Sequence, residues 1–127
     1  MNGNYLLDTN AIIYALNQKL TLPANGYAVS VITEMELLSW PALTREDEVK
    51  LRTLLEKLTV IQLERPIQST AIKIRRTSSL KLPDSIISAT ALSGGLVLVT
   101  NDQKLADRHV GLSIPLDELV TSNQPDI

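Results

Sequence analysis

Two short apolar runs, Leu6-Leu7 and Leu96–Val99, each break off into polar residues that carry an acid. The first runs into Asp8-Thr9-Asn10, the second into Thr100-Asn101-Asp102. A continuous apolar run of this length suits a buried strand of a parallel sheet. After Asp8 the apolar pattern changes to Ile12, Ile13 and Leu16, a helical spacing. The chain therefore predicts strands at Tyr5–Leu7 and Leu96–Val99, each passing into a helix at an aspartate.

The remaining segments repeat that alternation. Pro23-Ala24-Asn25-Gly26 is a turn cluster, and Tyr27–Ser30 reads as a second strand. A helix from about Val31 to Ser39 stops before Pro41. Thr44 caps a helix whose leucines 51, 54, 55 and 58 keep the spacing i, i+3, i+4, i+7. Glu46 with Lys50 and Glu48 with Arg52 form its solvated outer face. Thr59–Leu63 is a third strand, and Pro66 opens a helix that buries Ile67, Ala71 and Ile74. The next helix, restarted at Pro83 and ended by Gly94-Gly95, is apolar nearly all round and should be central. Asp102 leads into a short helix through Leu105, Ser113–Leu116 is a last strand, and the tail from Ser122 is frayed. The expected fold is a three-layer α/β/α domain over residues 1–127, with a central, mostly parallel sheet of four to five strands. Ligands of such sheets bind where the strands end.

Composition narrows the chemistry available there. The 127 residues include no cysteine, no phenylalanine and one histidine, His109. Thiolate sites, disulfides and multi-histidine zinc sites are excluded. Base-stacking platforms are unsupported with three Tyr and one Trp. The net charge of −2 argues against a general basic coat. No run is long and apolar enough for a membrane span, and the N-terminus does not read as a secretory signal, so the expected location is the cytoplasm. His109 is expected to be a surface or structural residue. Carboxylates, hydroxyls, amides and a bound metal remain.

Four carboxylates lack a clear packing role: Asp8 and Asp102 after strands, Asp84 at the start of the buried helix, and Glu36 between Met35 and Leu37. Glu34 reads as the ordinary exposed acid. Each aspartate alone could be a helix cap. If the four converge, repulsion is severe, since two carboxylates about 4 Å apart repel by about 4 kcal/mol at an effective dielectric near 20. Such a cluster must take up protons or divalent cations, and all-oxygen ligands suit Mg²⁺ or Mn²⁺. The stretch from Arg65 to Pro83 has five basic residues (Arg65, Lys73, Arg75, Arg76, Lys81) and no acid, and it leads straight to Asp84. It reads either as a solvated helix face or as an approach for an RNA backbone. Arg75 is its best single candidate, and Lys104 and Arg108 lie near Asp102 in sequence.

Taken in order, Leu7-Asp8-Thr9-Asn10, Ser30–Thr33 leading to Glu36-Leu37, Leu82–Ala91 with Asp84, and Leu98–Asp102 resemble the PIN-domain family, and in size its VapC-type toxin ribonucleases. The resemblance spans nearly the whole chain. It implies a metal-dependent endoribonuclease in which Asp8, Glu36, Asp84 and Asp102 form one acidic pocket for Mg²⁺ or Mn²⁺. Asp8 and Asp102 would be direct ligands, Asp84 a ligand or water orienter, and Glu36 a group acting through water. Thr9, Asn10 and Thr100 would support these or face phosphate, and Arg75, Arg76, Lys81 and Lys104 would meet RNA. A cognate antitoxin, a homodimer, and contact with DNA only through the antitoxin are also implied. The chain departs from the family at Leu105, where an aromatic is common, and at Ser85 and Ser88, where alanine is usual. Three other readings compete: an RNA-processing nuclease outside a toxin pair, a phosphoacceptor signalling domain, and a catalytically silent binding domain. The acidic pair expected of a phosphoacceptor is missing after the first strand.

Overall fold

The computed structural model describes residues 4–20 and 26–123, with side chains through residue 119. Five strands form one sheet: β1 (Tyr5–Leu7), β2 (Tyr27–Ser30), β3 (Thr59–Ile61), β4 (Val97–Val99) and β5 (Ser113–Ile114). Their order is β3-β2-β1-β4-β5, and every pairing is parallel. The helices are α1 (Thr9–Asn17), α2 (Val31–Leu38), α3 (Arg45–Glu56), α4 (Arg65–Thr77), α5 (Leu82–Gly94), α6 (Gln103–Arg108) and α7 (Leu116–Asn123).

The alternation of side chains along a strand sorts the core into layers. Leu7, Val29 and Val99 point to one face and pack with Ile12 of α1, Leu51 and Leu55 of α3, and Leu116 and Leu119 of α7. Leu6, Ala28 and Leu98 point to the other face and meet Ile87 and Ala91 of α5 and Leu105 of α6. Helix α4 lies outside α5, burying Ile67 and Ala71 against Ile86 and Ala89. With a neighbour on each side, α5 is buried from Ser85 to Ala91, as its all-round apolar sequence requires. Gly95 ends it in the left-handed region at φ 63°, which glycine adopts without a Cβ penalty. Both expected ion pairs on α3 form, at 3.5 Å and 2.8 Å. Among the described residues no helix is long and apolar enough to cross a membrane.

Three expectations need correction. The last strand stops at Ile114, and Leu116 opens a helix that runs to Asn123, into the segment expected to fray. Pro115 offers no N–H to a sheet. Leu116 donates its own N–H to Asn101 Oδ1, while Leu116 and Leu119 bury one helical stripe. The third strand is two residues shorter than expected, and α6 runs three residues beyond Leu105. The turn cluster at Pro23-Ala24-Asn25 and the last four residues of the tail lie outside the described residues.

Candidate metal centre

Parallel pairing brings the two strand-end segments to one edge of the sheet. Leu7 stands opposite Val99, so the next residues, Asp8 and Thr100, are neighbours at the C-terminal edge of the sheet. The Asp8 N–H reaches Val99 O at 3.1 Å. Asp8 is 2% exposed. One of its oxygens, Oδ1, accepts from Ala11 N at 2.7 Å and caps α1. The other, Oδ2, accepts the Thr100 hydroxyl in a short hydrogen bond. Thr100 Oγ1 in turn accepts from Asp102 N at 3.0 Å, which ties the two aspartates through one hydroxyl. Asp102 caps α6 by accepting from Leu105 N through Oδ1 at 3.1 Å. The cap reading and the site reading thus hold together for Asp8 and Asp102, because a cap engages one carboxylate oxygen and leaves lone pairs on the other.

Asp84 arrives by a different route. Helix α5 leads into β4 and must run opposite to it, so its N-terminus lies where β4 ends. Asp84 sits in its first turn, half-buried. Burial raises the Asp84 pKa, and the charges of Asp102 and Glu36 raise it further; Lys81 and Lys104 act against them. Burial likewise drives Asp8 up from 3.8 to about 6, with Thr100 and the Ala11 N–H opposing and the charges of Asp102 and Asp84 adding to the rise. Asp8 and Asp84 therefore both sense the charge of Asp102.

Glu36 joins from α2. Its Oε1 accepts from Thr9 Oγ1 at 2.6 Å, and Thr9 Oγ1 lies 3.1 Å from Thr33 Oγ1. Helix α2 buries only Thr33 and Leu37, so Glu36, at the border of that stripe, is exposed while Glu34 is half-buried. The apolar flank does not shield Glu36, since Met35 is itself 58% exposed.

The donor chemistry fits a hard divalent cation: oxygen ligands, a desolvated carboxylate, and no ion pair to Asp8, Asp84 or Asp102 among those of the described residues. As the side chains stand, no three acids or histidines among the described residues are close enough to enclose an ion. The four acids are thus near enough to repel but not drawn into a coordination shell.

The basic residues divide. Lys81 and Lys104 act electrostatically on Asp84. Arg75 and Arg76 are exposed in the last turn of α4, where their charge also suits the helix C-terminus. Asn10 is exposed one residue beyond Thr9. Sequence reasoning missed Thr33, whose signal was a hydroxyl three positions before Glu36 on the buried stripe. It also missed the partner of His109, which is 6% exposed and lies 2.7 Å from Ser88 Oγ through Nδ1.

The family model described as the PIN domain matches residues 5–110. Among solved structures, a toxin–antitoxin complex from Klebsiella pneumoniae superposes with a TM-score of 0.72 at 26% identity, over 88% of this chain and 97% of that one. VapBC-1 from nontypeable Haemophilus influenzae gives 0.76 at 22% identity, over 89% and 98%. PAE2754 from Pyrobaculum aerophilum gives 0.74 at 22%, over 94% of both chains. No curated protein sequence matches this one.

Proposed function

The chain belongs to the PIN-domain family of nucleases, and from that premise we propose that it is a Mg²⁺- or Mn²⁺-dependent endoribonuclease, the toxin of a toxin–antitoxin pair. The observation that carries the nuclease reading is Asp8, a buried carboxylate held up to about 6 by desolvation and by Asp102 and Asp84 beside it. A group so placed costs folding free energy, and a bound cation offsets that cost. The toxin reading is supported by the Klebsiella pneumoniae neighbour, which is described as a toxin–antitoxin complex.

In this reading Asp8 and Asp102 would hold the cation, Asp84 would hold it or orient water, and Glu36 would act through water. When bound, the cation would supply a water acidic enough to attack at neutral pH and a counter-charge for the phosphate oxygens. Thr100 fixes the Asp8 carboxylate by donating to Oδ2 and fixes the Asp102 backbone by accepting its N–H. Thr9 holds Glu36 in place through Oε1. Lys81 and Lys104 offer positive charge to the RNA backbone beside Asp84, and Arg75 and Arg76 extend it along α4. Asn10, exposed at the rim, faces the phosphate. In the cytoplasm, a cognate antitoxin covers this site and the toxin forms a homodimer; DNA is met only through the antitoxin.

The test is cleavage of single-stranded RNA with Mg²⁺ or Mn²⁺, with loss in EDTA and in Asp8→Asn. Cleavage that persists in folded Asp8→Asn overturns the mechanism. Manganese should also raise the melting temperature of wild type, by the linkage that gives about 2.7 kcal/mol at a hundredfold excess over Kd, and should leave Asp8→Asn unmoved.

A further inference from the structure

Beside Asp102, between α6 and the edge strand β5, lies a pocket of about 370 Å³ that opens off the acidic site. Its walls are Thr100, Asn101 and Asp102 on one side, Gln103 and Ala106 of α6, and Ser113, Ile114 and Pro115. We propose that this pocket holds the nucleobase next to the scissile phosphate and sets the base preference of cleavage. The proposal rests on the nuclease reading above and names where that site reads its substrate.

Four observations point there. The pocket shares Thr100 and Asp102 with the acidic site, so its occupant is directly linked to whatever binds there. Its volume lies at the small end of ligand pockets, about 300–1,000 Å³, which suits one nucleotide unit and not a helix or a folded domain. Its lining is mixed. Ala106, Ile114 and Pro115 present apolar surface, while the polar side chains beside them other than Asp102 are neutral, as a base edge needs. The amides are also oriented. Gln103 Nε2 donates to Asp107 Oδ1 at 2.7 Å, leaving its carbonyl oxygen free to accept. Asn101 Oδ1 accepts from Leu116 N at 2.9 Å, leaving its NH₂ to donate. A donor and an acceptor fixed in this way discriminate between base edges, because a mismatched edge leaves one of them unpaired. No aromatic ring lines the pocket, so hydrogen bonding, not stacking strength, sets the preference.

The experiment sequences the cleavage products of a random RNA pool treated with wild type, Gln103→Ala and Ala106→Phe in Mn²⁺. Anisotropy of a fluorescein-labelled oligonucleotide of the preferred sequence, in EDTA, supplies a binding readout independent of turnover. Wild type is expected to favour one base beside the cut. Gln103→Ala should flatten that preference by about tenfold. Ala106→Phe, which fills the pocket, should weaken oligonucleotide binding while leaving slow, unselective cleavage. Melting curves confirm folding, and Gln103→Ala, at an exposed position of the pocket wall, keeps the test open if Ala106→Phe does not fold. An unchanged base preference in Gln103→Ala, with wild type active, overturns the pocket and leaves the nuclease reading standing. No cleavage by wild type in either metal overturns the nuclease reading and the pocket with it.

Discussion

Ser88 Oγ lies 2.7 Å from His109 Nδ1, both residues buried, and this bond ties the middle of α5 to the end of α6. The two helices carry Asp84 and Asp102 at their N-terminal ends. His109 Nε2 has no hydrogen-bond partner among the described residues. Removing Ser88 would leave the whole imidazole unpaired in the core. Ser88→Ala is expected to cost about 1–3 kcal/mol in urea denaturation. Ser88→Ala with His109→Leu should recover most of that loss, since both polar partners are then gone. Burial lowers the His109 pKa below 6.5, so the unfolded chain takes a proton that the folded chain resists. Stability carried by neutral His109 is therefore lost as pH falls below 6.5. The double variant should lose less than wild type between pH 7 and pH 5.5.

Asp8 titrates with the opposite sign. Its folded pKa of about 6 lies above the ordinary 3.8, so its contribution is fully present below pH 3.8 and lost as pH rises through 6. The shift of about two units corresponds to up to about 3 kcal/mol. In EDTA, Asp8→Asn should match wild type near pH 4 and exceed it near pH 8. Asparagine keeps the α1 cap, because its carbonyl can still accept from Ala11 N. A variant that is more stable without metal and inactive with it separates binding cost from scaffold.

Thr100→Val removes the hydroxyl that lowers the Asp8 pKa and leaves the Asp102 N–H without its acceptor. The acid limb of the rate–pH profile should move to higher pH, with kcat/KM falling about tenfold or more at pH 7. An unmoved acid limb would show that Asp8 does not govern the profile.

Lys81 and Lys104 act on Asp84, while Arg75 and Arg76 lie in the last turn of α4 and are not among the charges acting on it. Lys81→Gln and Lys104→Gln should each weaken RNA binding and reduce its salt slope by about 0.7, the single-strand value for one phosphate contact. They should also raise the Asp84 pKa, since both lysines lower it. Arg75→Gln, the residue the sequence singled out, should change the slope less than either lysine.

The placement of the strands was legible because each ends at a break from apolar to polar residues, and the register Leu7 to Val99 then makes Asp8 and Thr100 neighbours. The central position of α5 was legible from its unbroken apolar surface. What escaped depends on docking, not on local pattern. Whether Glu34 or Glu36 meets solvent is decided by how α2 turns on α1, and a Met-Glu-Leu run does not encode that angle. The burial of His109 depends on α6 continuing to Arg108, and α7 was hidden because Ser113–Leu116 carries strand-like residues up to Pro115. That Asp8, Asp84 and Asp102 share one edge followed from topology, but their spacing short of a coordination shell did not.

The pairing of β1 with β4 has a consequence for synthesis. Asp8 is made early, yet its hydrogen-bond partner Thr100 follows 92 residues later in the chain. On the ribosome, the central strand waits beside an open edge until Val97–Val99 emerges and closes it. A nascent chain that stops short of Asp102 lacks one of the three aspartates that meet at this edge. The aspartates at this edge therefore come together only late in synthesis, and a prematurely terminated chain never gathers them.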